Sequence, residues 1–173
     1  FALPVLWYLA LSNDHRILAS FALPKLKPGL LLGLAIGGMF GFAATFLGAL
    51  NHQTTINFLP YYLAEWFWLE FFLALLTGFW ETLFFFSFVM QVIEEKFQRW
   101  SLLKQILCTA AIFLLFHLPN ILLRFESAQN VILQILLLFT FACGQALLFY
   151  QKRNAYLLLM VQAIWGMALL IHF

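Results

Sequence analysis

The chain has 173 residues, of which 65% are apolar and 9% charged, with a net charge of +2. Soluble domains carry roughly 25% charged residues, so this composition excludes a fold coated by water. The small, scattered positive charge excludes a basic stripe for nucleic acid. What remains is an all-α, polytopic transmembrane helical bundle, because a helix of about 20 apolar residues spans a bilayer with its backbone bonds satisfied internally.

In chain order, residues 1–11 (FALPVLWYLAL) are too short to span alone. They are expected to be the tail of a first helix or the remnant of a targeting segment. The stretch 12–28, with two prolines and three basic residues, reads as a loop or interfacial segment, so that residues 1–28 precede a bundle over 29–173. Five spans are predicted, at about 29–50, 61–93, 102–123, 131–150 and 155–173. The second is long enough that it must tilt, bend or protrude. Cys108 and Cys143 both lie in apolar runs and read as small packing residues rather than a disulfide framework.

Eight of the nine Lys and Arg residues fall in alternate loops: Arg16, Lys25 and Lys27 in 12–28, Lys96, Arg99 and Lys104 in 94–104, and Lys152 and Arg153 in 151–154. Arg124 alone is opposite. The positive-inside rule predicts that these three loops are cytoplasmic.

The first full span carries Gly29, Gly33, Gly37 and Gly41, four residues apart. On a helix they share one face, and without side chains that face admits a second helix closely, either from this chain or from another subunit.

Ionisable groups inside a membrane are costly and point to a role. The long span holds Glu65, Glu70 and Glu81, with Thr77 between the last two on one face; the next holds His117, then Pro119 and Asn120; the last holds Gln162 and His172. Counted from the predicted cytoplasmic ends, Glu81 and His117 both lie roughly 20 Å deep at about 1.5 Å per residue, and Gln162 lies shallower. Glu81 and His117 are therefore expected to face each other. A Glu–His pair in a dry pocket suits water activation, with Glu as base and His as oxyanion partner or proton carrier. The same pair also serves as a hydrogen bond holding two helices.

These residues resemble the CAAX prenyl endopeptidase and bacteriocin-processing (CPBP, or Abi) family of intramembrane proteases. Phe113-Leu114-Leu115-Phe116-His117 matches the family's Phe-x-x-x-His motif, followed by Pro119 and Asn120. Two copies compete for the Glu-Glu-x-x-x-Arg motif. Glu94-Glu95-Lys96-Phe97-Gln98-Arg99 fits the letters but lies at the charged end of its span, 23 residues before His117. The register beginning at Glu81-Thr82-Leu83-Phe84-Phe85-Phe86 lies 36 residues before His117 and is the better match. In it Thr82 replaces the second Glu and Phe86 the Arg. The third motif, His-x-x-x-Asn/Asp, aligns with Gln162 and Gly166, and neither functional residue is present.

The resemblance spans about 61–170 and implies a CPBP-like core there, with Glu81 and His117 as the retained catalytic positions and Thr82, Phe86, Gln162 and Gly166 as degenerate ones. Gln162 does not titrate near neutral pH, and each lost oxyanion donor removes roughly 3 kcal/mol of transition-state stabilisation. The leading expectation is a non-catalytic structural or accessory subunit of a membrane complex, or a binding protein, with membrane lipids and other transmembrane helices as partners and no nucleic acid. A similar scaffold in a non-catalytic subunit of γ-secretase supplies the analogy. The alternative is an active glutamate-type endopeptidase for CAAX or leader peptides. No cofactor and no metal are expected, since a catalytic zinc takes three protein ligands. Any bound lipid or pigment is left open.

Overall fold

The computed structural model describes residues 7, 15–52, 66–124 and 128–172. All regular structure among them is helical: α1 (His15–Ser20), a 3₁₀ turn (Leu23–Lys25), α2 (Leu26–His52), α3 (Phe67–Lys96), α4 (Leu102–Arg124), α5 (Ala128–Lys152) and α6 (Ala155–His172). Four helices are long and apolar enough to cross a membrane: Ile17–Phe42, Phe67–Lys96, Leu102–Leu123 and Ala128–Lys152. They leave large apolar side chains outward, among them Leu31, Met39 and Phe42 on α2, Trp68 and Phe72 on α3, and Leu115 and Leu123 on α4. Such a surface would aggregate in water and is the natural exterior of an integral membrane protein.

Of the segment read as a loop or interfacial stretch, residues 15–28 are described. This part is helical over His15–Ser20 and Leu23–Lys25 and runs directly into α2. Pro24 opens the 3₁₀ turn and Pro28 falls in the first turn of α2. Early helix positions have no intrahelical partner for their N–H, so proline costs no bond there.

The 30 residues of α3 would extend about 45 Å, beyond the ~30 Å hydrocarbon core. The helix is not uniform: α geometry over Phe67–Glu81 and Met90–Lys96 flanks a π-helical stretch, Thr82–Val89. Its wider turn allows the consecutive Phe85, Phe86 and Ser87 all to be buried, and such insertions recur at functional sites.

The chain divides into two compact units, and the division falls inside α3 at the start of the π stretch. One unit holds the described part of Ala19–Thr82 and the chain from Asn154 on. In it α6 packs along both α2 and the Phe67–Glu81 part of α3. Gly29, Gly33, Gly37 and Gly41 lie against Asn154, Leu157, Val161 and Ile164 in the same order, so α2 and α6 run parallel. A Cβ placed at Gly33 would sit 2.6 Å from the Leu157 carbonyl oxygen, closer than any carbon can approach, so only glycine permits this backbone contact. The glycine face thus meets another helix of the same chain. α3 runs antiparallel to α6, pairing Gly78 with Gln162 and Ala74 with Gly166.

Asn154 starts α6. Its Oδ1 accepts the backbone N–H groups of Tyr156 (3.1 Å) and Leu157 (3.4 Å), and its Nδ2 donates to the Lys25 carbonyl at 2.9 Å. This is an N-cap that also ties the start of α6 to the start of α2. Tyr156 adds a 2.7 Å bond from its hydroxyl to the Phe21 carbonyl.

The other unit contains Leu83–Arg153, with α4 packed on α5 and the last turns of α3 on α4. The buried face of α5 is Leu138, Phe141, Ala142, Gln145, Ala146 and Phe149, the three-and-four spacing of a helical stripe. Both cysteines are free thiols.

Candidate functional site

The site in the first unit begins at Gly78. An added Cβ there would lie 3.3 Å from both the Gln162 Cβ and the Leu159 carbonyl, so α3 and α6 approach closely at this level. One turn on, Thr82 is fully buried and Gln162 nearly so. The Thr82 hydroxyl donates to Gln162 Oε1 at 2.7 Å, and Gln162 Nε2 donates to Glu81 Oε2 at 3.2 Å. The amide stands with its NH₂ toward Glu81 and its carbonyl toward the Thr82 hydroxyl, so each donor meets an acceptor.

This contact corrects the depth reading of the sequence. Gln162 is level with Glu81 and Thr82, not shallower. Counting from helix ends assumed that α3 ends and α6 begins in one plane, whereas the axial offset of packed helices is set by their interface. Thr77 is exposed, one helical turn before Glu81 on the same line of α3. Glu65 lies outside the described residues. At Gly166 an added Cβ would meet only Ala74 Cβ, at 3.8 Å, so a side chain has room there.

Thus three of the residues singled out in the sequence, Glu81, Thr82 and Gln162, form one hydrogen-bonded set. His117 and Phe86 belong to the other unit. His117 Nδ1 lies 2.8 Å from the Phe113 carbonyl oxygen of its own helix. That oxygen only accepts, so Nδ1 carries the hydrogen and, in the neutral ring, Nε2 is the accepting nitrogen. The imidazole stacks on the Phe113 ring with centroids 4.1 Å apart. Phe113 in turn meets Phe85 edge-on at 4.9 Å and Phe86 at 5.8 Å. Phe86 is fully buried beside Phe113.

The charged end of α3 is a separate arrangement. Glu94 accepts two bonds from Arg153 Nη2, at 2.7 and 2.8 Å. The Arg153 guanidinium also lies over the Phe149 and Tyr150 rings, and its backbone is left-handed, φ 47°. Glu95 accepts from Gln91 Nε2 at 3.1 Å. Glu94 therefore pairs with a residue remote in sequence, Arg153, rather than with Arg99. No sequence signal pointed to Arg153 as its partner. Asn154 as a cap was legible, being an Asn directly before an apolar run. Among the described residues no three His, Cys, Asp or Glu side chains are grouped as metal ligands.

The profile of the type II CAAX prenyl endopeptidase Rce1-like family matches residues 63–168, more than half of the chain. The chain belongs to that family. The matched stretch contains Glu81, Thr82, Phe86, Phe113, His117, Gln162 and Gly166. No curated protein and no solved structure matches the chain.

Proposed function

We propose that this member of the Rce1-like family is a non-catalytic accessory or binding subunit of a membrane assembly, in which the former protease positions act as a clasp between α3 and α6. The observation that carries this reading is the pair of hydrogen bonds made by Gln162, one accepted and one donated. The side chain at the position of the family's third-motif His spends its carbonyl on Thr82 and its NH₂ on Glu81. An amide neither takes up nor releases a proton near neutral pH, so Glu81 has beside it a group that holds it in place and cannot exchange protons with it. The Thr82 hydroxyl supplies no second carboxylate, and Phe86 supplies no cation.

Its partners on this reading are lipids and transmembrane helices, with neither cofactor nor metal involved. The segments 12–28, 94–104 and 151–154 lie on the cytoplasmic side. The Asn154–Lys25 bond supports a common side for the first and last of these, and their basic residues support its assignment.

The test is proteolysis of prenylated CAAX peptides and of leader peptides by purified wild type, Glu81→Gln and His117→Ala, beside co-purification in mild detergent. The expected result is no cleavage above background, weaker folding of Glu81→Gln, and partner subunits recovered with the wild type. Cleavage by the wild type that Glu81→Gln abolishes would instead establish an active glutamate-type endopeptidase.

A further inference from the structure

The turn joining α3 to α4 is a built structure with unused cations. The Phe97 N–H bonds the Ile93 carbonyl at 2.9 Å, and the Phe97 carbonyl accepts both the Trp100 N–H at 2.9 Å and Gln105 Nε2 at 3.4 Å. Phe97 and Trp100 stack with centroids 4.3 Å apart and planes 23° apart. Together they shape an open cleft of about 490 Å³ lined by Glu95, Lys96, Phe97, Gln98, Arg99 and Trp100. Glu94 is held by Arg153 and Glu95 by Gln91. Among the described residues neither Lys96 nor Arg99 has an ion-pair or hydrogen-bond partner.

We propose that this cleft binds the phosphate of an anionic glycerophospholipid, with Lys96 and Arg99 as its ligands and the Phe97–Trp100 stack at the glycerol level. Three observations carry the choice of ligand. First, the cleft sits where two membrane-crossing helices, Phe67–Lys96 and Leu102–Leu123, end and begin, which is headgroup depth, where Trp rings are favoured. Second, two unpaired cations beside one engaged carboxylate favour a headgroup of net negative charge. A choline or ethanolamine headgroup would bring its own cation against them. Third, α4 begins two residues after Trp100 of the cleft and carries an exposed apolar line. Leu103, Leu107, Ala111 and Leu115 are all exposed and four residues apart, hence on one stripe. The stripe is about 18 Å long, comparable to one leaflet of a ~30 Å core, so it offers an acyl chain a continuous apolar path. The proposal is independent of whether the chain cleaves peptides.

The experiment uses the full chain in phosphatidylcholine vesicles titrated with phosphatidylglycerol, reading thermal protection and the lipid retained after detergent exchange. Each cation contributes about fivefold in affinity near a membrane surface, so Lys96→Gln with Arg99→Gln is expected to weaken phosphatidylglycerol binding about 25-fold. Both side chains are exposed, and an unchanged melting temperature in pure phosphatidylcholine checks that the fold is kept. Trp100→Ala, which leaves both cations, is expected to reduce retention as well. Lys152→Gln, an exposed cation at the end of α5, is expected to change nothing. Equal phosphatidylglycerol binding by wild type and the double variant would overturn the proposal. So would an equal loss in Lys152→Gln, which would mean a diffuse field rather than a site, or full protection by millimolar inorganic phosphate without anionic lipid.

Discussion

Replacing Thr82 by Val removes one oxygen from a fully buried side chain of nearly the same shape. It takes away a 2.7 Å donor and leaves Gln162 Oε1 without it, with Gln162 only 5% exposed. A buried acceptor stripped of its donor costs about 1–3 kcal/mol, and bonds between membrane helices fall toward the low end, averaging about 0.6 and reaching about 1.7 kcal/mol. Thr82→Val alone should therefore destabilise by about 1–1.5 kcal/mol. Gln162→Leu removes two bonds and leaves both the Thr82 hydroxyl and a Glu81 oxygen short of a partner, so about 2–3 kcal/mol is expected. The double variant should cost less than the sum by about 1 kcal/mol, because once Gln162 is gone the Thr82 hydroxyl has nothing to donate to there. The assay is reversible unfolding of the purified protein in detergent, run as a double-mutant cycle. Additivity within about 0.3 kcal/mol would refute a shared bond and with it the clasp.

Three further outcomes follow from named contacts. Glu94→Gln breaks a bidentate pair in which the Glu94 side chain is 20% and Arg153 42% exposed. A loss of about 1 kcal/mol is expected, shrinking at high salt, and is checked by unfolding at low and high ionic strength. Gly33→Ala should destabilise by about 1–3 kcal/mol, because its Cβ would lie 2.6 Å from a backbone oxygen of α6, whereas Gly38→Ala, with nothing within 4 Å, should be neutral or slightly stabilising by helix propensity. Phe86→Arg should cost several kcal/mol by placing a cation in a fully buried aromatic cluster, while Gly166→Asn should be tolerated where the nearest contact to a new Cβ is 3.8 Å away. Melting temperatures of the single variants separate the two, and show which of the substitutions Thr82→Glu, Phe86→Arg, Gln162→His and Gly166→Asn the fold rejects.

Local chemistry was enough for the membrane, the apolar runs and the family. Composition forbids a water-coated surface, and helices are the only structure such runs can adopt singly in lipid. Glycines every four residues make one flat face wherever the helix goes. The tertiary structure decided what meets those features. That the glycine face meets α6 of the same chain, that Gln162 is level with Glu81, and that Glu94 finds Arg153 all depend on the axial offset and rotation of helices packed against each other. Those are set by backbone contacts such as Gly33 on Leu157 and Gly78 on Leu159, between residues far apart in sequence. The short helices in 12–28 and the π stretch of α3 were hidden for a related reason. Pro24 and Pro28 fall at helix starts, where the N–H has no intrahelical partner, and the π stretch coincides with the adjacent buried residues Phe85, Phe86 and Ser87.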